Sequence, residues 1–247
     1  MRARCAQATS ARIPSGPGSS ISVRTRGAQA RQQLLVHATR IFAGKGYTAA
    51  STREICEAAG VNLTAIRYYF GNKEGLYRAA LIEPIQIITE QLGGFDAPSL
   101  SFAQALQCIM APLLGMTQES DYELQVTRLH LRETLEPSAI FREVVQADIR
   151  PLHNKFAALL AKHCNLQDVD ADIHQLAFAM LAMANDYCIS REYMKLLAPE
   201  IFSRPDAETI LFDRLTAYCC ALLDNERERR RALLLSSNAC ADLQDCQ

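Results

Sequence analysis

The sequence contains no tryptophan and no run of about 18 uncharged apolar residues of the kind that spans a membrane. Glycine and proline are sparse after residue 30, and no segment alternates β-branched with polar residues, which argues against strands. A Gly-rich phosphate loop, a G-x-S-x-G motif and an H-E-x-x-H motif are also missing. These absences predict an all-α protein that has no enzymatic activity, no cofactor or metal, and no membrane association.

The nine cysteines are odd in number and scattered, and no C-x-x-C motif or zinc-like spacing occurs among them. Most fall within helical patterns, where a free cysteine acts as a small apolar residue. This usage predicts a location in the reducing cytoplasm. A redox-sensing role for Cys188 or for the Cys219–Cys220 pair is the alternative.

The net charge of −1 hides a strong asymmetry along the chain. Residues 1–78 carry twelve basic and three acidic side chains, a net charge of +9, so the rest of the chain carries −10. A basic N-terminal region on an acidic body suggests that one end meets a polyanion. The alternative is a basic tail without function, since residues 1–25 are rich in Arg, Ser, Gly and Pro. We predict that these residues form a disordered arm, or precede the native start.

The stretch 51–78 predicts two short helices joined by a tight turn and followed by a longer helix. Ser51 and Glu54 have the spacing of a capping box at the start of the first short helix. Gly60 stands where a C-cap with positive φ is needed, and Asn62 can cap the second helix. Asn72 can cap the third. Two helices that meet through such a turn form a helix-turn-helix motif, whose second helix enters the DNA major groove.

Apolar periodicity predicts about nine helices in total, and the seventh is a long helix at about 138 to 164. The eighth (about 168 to 197) and ninth (about 206 to 225) are apolar over more than one face, which predicts a homodimer through these two helices. Burial within one subunit is the alternative. Kinks are predicted at Pro84, Pro112 and Pro151. The domain boundaries that we predict are a basic arm at 1–25, a DNA-binding domain at 26–78, a ligand-binding and dimerisation domain at 79–225, and a flexible tail at 226–247.

Residues 52–76 resemble the TetR family of bacterial transcriptional repressors. The segments that carry the resemblance are Thr52-Arg53-Glu54-Ile55, Ala58-Ala59-Gly60-Val61, Tyr68-Tyr69-Phe70 and Lys73-Glu74-Gly75-Leu76. A further likeness to the CecR-like branch is carried by Leu131-Arg132-Glu133 through Pro137 and by Ile149-Arg150-Pro151-Leu152. The resemblance implies an N-terminal three-helix DNA-binding domain and a larger C-terminal helical domain.

The resemblance also implies which residues contact DNA. Candidates to reach the bases are Asn62, Leu63, Thr64, Arg67 and Tyr68. Arg67 can pair with guanine, or it can contact a phosphate or remain a surface charge. Those that match backbone-contacting positions are Thr52, Tyr69 and Lys73, and Tyr69 can instead pack in the core.

By the same resemblance, the protein is a dimeric repressor that binds double-stranded operator DNA and is released by a small-molecule effector. Polar residues among the apolar ones of the body are candidates for ligand binding, although each can instead make a structural contact. These candidates are Arg128, Arg132, His153 and Asn185. The alternative function is a helical interaction module that has lost DNA binding.

Overall fold

The computed structural model describes residues 20–91, 94–114 and 120–244, and every regular element in these ranges is a helix, which confirms the all-α prediction. Within them, no helix combines the length and apolarity that crossing a membrane requires. A π-helical segment spans Val145–Ile149 and a short 3₁₀ segment spans Pro199–Ile201. The α-helices are α1 Ser20–Ala49, α2 Thr52–Ala59, α3 Thr64–Phe70, α4 Lys73–Gln91, α5 Phe102–Leu114, α6 Asp121–Leu135, α7 Ala139–Val144, α8 Arg150–His163, α9 Ala171–Ile189, α10 Arg191–Leu197 and α11 Ala207–Gln244.

Helices α1 to α4 pack around one apolar core, which we call the head. Ile55 of α2 and Ile66 of α3 are buried there. Helices of seven or eight residues are not stable alone, so this burial holds them in place. The Phe42 ring meets Tyr77 edge to face, with 4.7 Å between centroids. The same core extends to buried side chains of α6 and α7, namely Leu129, Ile140 and Val144.

A second apolar core forms the body. It lies between α5, α8, α9 and α11 and includes Leu106, Met110, Phe156, Leu160, Ile173, Met180, Leu215 and Cys219. The head and the body therefore have separate cores, but α6 and α7 complete the core of the head. Since α6 and α7 lie beyond residue 78, the head core includes side chains from beyond the predicted DNA-binding segment.

Two predicted long helices are interrupted in the structure. The predicted helix 138–164 consists of α7, the π-helical segment and α8, and Pro151 lies in the first turn of α8. Proline cannot donate an amide hydrogen bond, so the wider π pattern precedes it. The predicted helix 168–197 is divided at Ser190 into α9 and α10. Pro84 lies inside α4 without ending it, and the side chain of Pro112 is outside the described residues.

Parts of the two segments that were predicted to be disordered are helical in the described residues. Residues 20–25 of the predicted arm belong to α1, while residues 1–19 lie outside the described residues. The predicted tail at 226–247 is helical as far as Gln244, where α11 ends, and residues 245–247 lie outside the described residues. Its charged run is held to the start of α9: Arg229 pairs with Asp172 at 2.6 Å and Arg230 with Asp170 at 2.8 Å. These partners lie about 60 residues earlier in the chain.

The ion pair between Asp170 and Arg230 gives a pH-dependent prediction. Asp170 also caps α9 by accepting the amide of Ile173 at 3.0 Å, and Arg230 lowers the pKa of Asp170 from 3.8 to about 2. Asp170→Asn keeps the cap but removes the charge. We expect it to lower the free energy of unfolding at pH 7 by up to about 1 kcal/mol, because the pair is partly exposed.

The sign follows from the lowered pKa of the folded state. The contribution of the carboxylate is fully present above pH 4 and is lost as the pH falls towards 2. Urea unfolding of wild type and Asp170→Asn at pH 7, 4 and 3 should therefore show a difference that shrinks at pH 3. An equal difference at all three values would contradict the ion-pair assignment.

Candidate nucleic-acid interface

The turn between α2 and α3 has the geometry of a helix-turn-helix. Gly60 ends α2 in the left-handed conformation (φ 65°, ψ 30°), which glycine adopts without steric cost. The amide of Val61 then donates to the carbonyl of Cys56 at 3.0 Å. The predicted role of Gly60 as a C-cap is therefore confirmed.

The predicted caps around the motif have different outcomes. The capping box is wrong: Ser51 makes no side-chain cap, and Glu54 pairs instead with Lys45 at 2.6 Å. The side-chain oxygen of Asn62 accepts the amide of Thr64, the first residue of α3, at 3.1 Å, whereas Leu63, which directly precedes the helix, makes no side-chain cap. Asn72 likewise accepts the amide of Gly75 at 2.8 Å. The first amides of α2 are thus left without a cap from Ser51.

The outer face of α3 carries the predicted base-reading residues. Ile66 points into the head core, so the residues that flank it in the helix are turned outward. Tyr68 is 81% exposed, and Arg67 forms no ion pair with any described residue. The exposed members of the predicted set are Asn62, Leu63, Thr64, Arg67 and Tyr68.

The three predicted backbone-contacting residues are half-buried. Thr52 is the first residue of α2. The ring of Tyr69 packs edge to face on Tyr68, with 4.7 Å between centroids. The ammonium group of Lys73 donates to the carbonyl of Thr48 at 3.3 Å and lies 4.6 Å from the centroid of the Tyr47 ring.

Much of the positive charge of the head is neutralised within the molecule. Several basic side chains of α1, α2 and α4 pair with acids, some of them on α6 and α7 beyond residue 78. These pairs are Arg31–Glu83, Arg40–Asp121, Lys45–Glu54, Arg53–Glu57 and Arg78–Glu143. The net charge that the sequence assigns to this region is therefore an upper limit for what faces DNA.

A buried polar contact between α4 and α6 was not predicted from the sequence. Glu133 is 3% exposed and accepts hydrogen bonds from the hydroxyl of Tyr77 and, at 2.8 Å, from the amide of Ser138. Burial and this carboxylate raise the pKa of Tyr77, so its hydroxyl remains a donor. The contact ties α4 to α6 within the head. A fully buried acid is rare in proteins, so composition alone does not predict this contact. The sequence signal that includes Glu133 is the segment Leu131-Arg132-Glu133, which resembles the CecR-like branch.

The four predicted ligand-binding residues are not joined to one another by any hydrogen bond or ion pair in the described residues. Arg132 donates to the carbonyl of Gly44 at 3.3 Å and so contacts the head. His153 lies 2.9 Å from His174 between ring nitrogens and stacks on Phe178, and burial lowers its pKa. The other two, Arg128 and Asn185, are exposed.

The cysteines that were considered as redox sensors are poorly suited to that role. Burial raises the pKa of Cys188 to about 11 and that of Cys219 to about 12. The reactive form of cysteine is the thiolate, which is scarce at neutral pH when the pKa is this high. Their burial fits apolar packing.

Two family models match the chain. The model described as "Bacterial regulatory proteins, tetR family" matches residues 34–80, which include the whole helix-turn-helix. The model described as "HTH-type transcriptional dual regulator CecR, C-terminal domain" matches residues 102–217.

Characterised relatives are similar over much of the same region. The HTH-type transcriptional dual regulator CecR of Shigella flexneri is 32% identical over 161 residues, which are 60% of this chain and 72% of that protein. The HTH-type transcriptional repressor AcnR of Corynebacterium glutamicum is 27% identical over 124 residues, 50% of this chain and 60% of that protein. Among solved structures, a TetR-like transcriptional regulator from Rhodococcus sp. RHA1 superimposes with a TM-score of 0.54, covering 78% of this chain and 96% of that one at 21% identity.

Proposed function

Because the chain belongs to the TetR family of bacterial regulatory proteins, in the branch with the CecR C-terminal domain, we propose that it is a dimeric, sequence-specific repressor. In this proposal a small-molecule ligand releases it from its operator. The members of this family that match are transcriptional regulators and not enzymes. The observation that carries the proposal is the outward face of α3, where Leu63, Thr64, Arg67 and Tyr68 are exposed beside a buried Ile66.

We propose that α3 lies in the major groove of operator DNA. Since α3 has only seven residues, few side chains reach the bases. Arg67 is suited to a bidentate contact with guanine, which is worth about 1–3 kcal/mol of discrimination. Thr52, Tyr69 and Lys73 are proposed to contact phosphates, where they position the head without reading sequence. The uncapped first amides of α2 are further donors to a phosphate.

A second copy of the chain is proposed to pack on α9 and α11. The exposed side of α9 carries Gln175, Phe178, Ala182, Asn185 and Ile189 at alternating steps of three and four. This spacing forms the seam of helix pairs that pack at a shallow angle. Two recognition helices in such a dimer would read half-sites about 34–36 Å apart, or a multiple of that spacing. Because operator DNA lies in the bacterial cytoplasm, we propose that the protein is located there.

We propose that the effector binds in the body. Of the four residues that the sequence suggested for ligand binding, His153 is the one that we propose to contact the effector. Its half-buried ring lies between α8 and α9, whereas Arg132 is engaged with the head. The Glu133–Tyr77 contact joins α6 to α4 within the head. The continuous run of α7, the π-helical segment and α8 supports a route from the body to the head, since Val144 of α7 lies in the head core and Phe156 of α8 in the body core. Release would require the effector to bind more tightly to the conformation that does not fit the operator.

Mobility-shift titrations on the DNA upstream of the protein's own gene test the proposal. We expect Arg67→Ala to lower the discrimination between the best site and its point variants by about 1–3 kcal/mol. Lys73→Ala should instead weaken all sequences similarly and reduce the salt dependence by about one unit for each lost phosphate contact. Lys162→Ala, which removes an exposed positive charge from α8, is the matched control and should change neither quantity.

If the folded wild-type protein binds no DNA fragment from upstream of its own gene at low salt, the proposed repressor function is wrong. Equal effects of Arg67→Ala and Lys73→Ala on every sequence would remove Arg67 from base reading while leaving DNA binding intact.

A further inference from the structure

Two groups of large apolar side chains are exposed near opposite ends of α11. The first group, the α10 patch, lies just before α11, and its Leu196 is 83% exposed. The members of this patch are Tyr193, Leu196, Leu197 and Ile201. The second group, the leucine triplet, lies in the C-terminal half of α11 and consists of Leu233, Leu234 and Leu235. Exposed apolar clusters of this kind mark contact sites.

The leucine triplet lies where α11 extends past the body. Residues 231–236 are all exposed, although a helix lying on a core has a buried side chain every three or four residues. Leu235 is 72% exposed. The ion pair between Arg230 and Asp170 joins α11 to α9 immediately before this exposed segment. The helix therefore carries apolar side chains beyond the surface on which it packs.

Charges on the exposed side of α11 are arranged symmetrically about Ala221. Arg214 lies seven residues before it and Glu228 seven residues after it, and neither forms an ion pair with any described residue. Two α11 helices that run antiparallel and cross at Ala221 would place each Arg214 opposite the partner's Glu228. Ala217 and Ala221 are small, so the helices can approach closely at the crossing point.

The apolar groups follow the same symmetry. Ala207, the first residue of α11, and Leu235 each lie 14 residues from Ala221, which is about 21 Å at 1.5 Å per residue. The antiparallel pairing therefore brings the leucine triplet of one subunit to the start of the partner's α11, beside the α10 patch. In an isologous interface both contacts form at once.

We infer that a second copy of the chain covers the α10 patch: α11 pairs antiparallel with its counterpart about a two-fold axis near Ala221, and Leu235, the member of the leucine triplet that lies on the same stripe as Arg214 and Glu228, docks on the α10 patch of the other subunit. This clasp rests on the proposed dimer and specifies its register. It uses α11 residues beyond 217, which the CecR C-terminal family model does not reach.

A charge-swap series on the full-length chain tests the register. Arg214→Glu and Glu228→Arg should each raise the dimer dissociation constant about three- to tenfold, since each places like charges together twice in the dimer. The double variant restores the opposite pairing and should return the dissociation constant to near the wild-type value. Sedimentation equilibrium measures it. Two single effects that simply add in the double variant would overturn the register.

Disulfide trapping tests the docking of Leu235. Leu196→Cys together with Leu235→Cys should give a covalent dimer on mild oxidation, and neither single variant should exceed the wild-type background from native cysteines. Within one subunit, α11 separates Leu235 from Ala207 by about 40 Å. Because Arg191 of α10 pairs with Glu208 at 3.0 Å, α10 is held at the far end of α11 from Leu235, and we expect no bond within one chain. A dimer trapped by Leu235→Cys alone would indicate parallel helices and overturn the clasp.

The substitution Leu235→Glu adds a measurement that depends on affinity alone. We expect it to raise the dissociation constant about tenfold or more, whereas Gln167→Glu in the exposed α8–α9 loop should leave it unchanged. A dimer that tolerates Leu235→Glu and shows no 196–235 crosslink overturns the clasp and leaves the proposed dimeric repressor standing. A wild-type chain that is monomeric at all concentrations overturns both.

Discussion

Glu133→Ala is expected to lower the free energy of unfolding by about 3 kcal/mol. The carboxylate accepts the hydroxyl of Tyr77 and the amide of Ser138, and its removal leaves both buried donors without a partner. It also opens a cavity between α4 and α6. Urea unfolding followed by circular dichroism measures the loss.

Two matched variants distinguish the effect of losing the buried contact on stability from the effect of losing one acidic side chain. Glu133→Gln can accept the Ser138 amide and donate to the oxygen of Tyr77, so we expect it to cost less than about 1 kcal/mol. Glu136→Ala removes an exposed carboxylate at the end of the same helix and should change stability by no more than about 0.5 kcal/mol. If Glu133→Ala were as mild as Glu136→Ala, the contact would not hold α4 to α6.

A functional consequence follows from the position of this contact. Tyr77 lies in α4, directly after the helix-turn-helix, and Glu133 lies in α6 beside Arg132, which contacts Gly44 of α1. We expect Glu133→Gln, which preserves the fold, to weaken the coupling between effector and operator while the affinity for each alone is retained. This is a test of coupling in the thermodynamic sense, because it compares binding of one ligand with and without the other.

Phe42→Ala is expected to destabilise the head by about 3–5 kcal/mol and to abolish operator binding through unfolding. The Phe42 side chain is fully buried between the rings of Tyr47 and Tyr77, and its loss leaves a cavity that helices α1 and α4 cannot close without moving. Unfolding curves and mobility shifts on the same preparations measure the two effects.

Tyr68→Ala is the matched control for this variant. It also removes an aromatic ring, but from an exposed position on the outer face of α3. We expect its stability to stay within about 0.5 kcal/mol of wild type while operator binding weakens. Phe42→Ala with wild-type stability would contradict the head core described here, and Tyr68→Ala with wild-type operator affinity would remove Tyr68 from the DNA contacts.

The helix-turn-helix could be predicted in detail because its signals are local. The αL cap at Gly60, the side-chain acceptors at Asn62 and Asn72 and the burial of Ile55 and Ile66 each depend on residues within four positions of one another. Steric preference and helical periodicity fix such features before any tertiary contact forms.

Features that depend on distant partners could not be predicted in the same way. The capping-box spacing gives Glu54 a local partner in Ser51, but Glu54 pairs with Lys45 instead. The non-helical backbone of Gly46 ends the regular part of α1 beside Lys45 and lets the chain turn back, so that Lys45 and Glu54 lie close together. When several charged groups are within reach of a long side chain, its ion-pair partner is the group that lies nearest in space, and the sequence does not give that distance.

The sequence by itself determined the all-α fold, the helix-turn-helix and the family, since helical periods and cap residues act over one or two turns. Only the tertiary structure decided that Glu133 is buried against Tyr77, that Arg132 contacts the head, and that α11 continues through the charged run to Gln244. In each case the deciding partner lies more than 50 residues away. Burial and ion pairing at that range depend on how helices pack, and packing is a property of the whole chain.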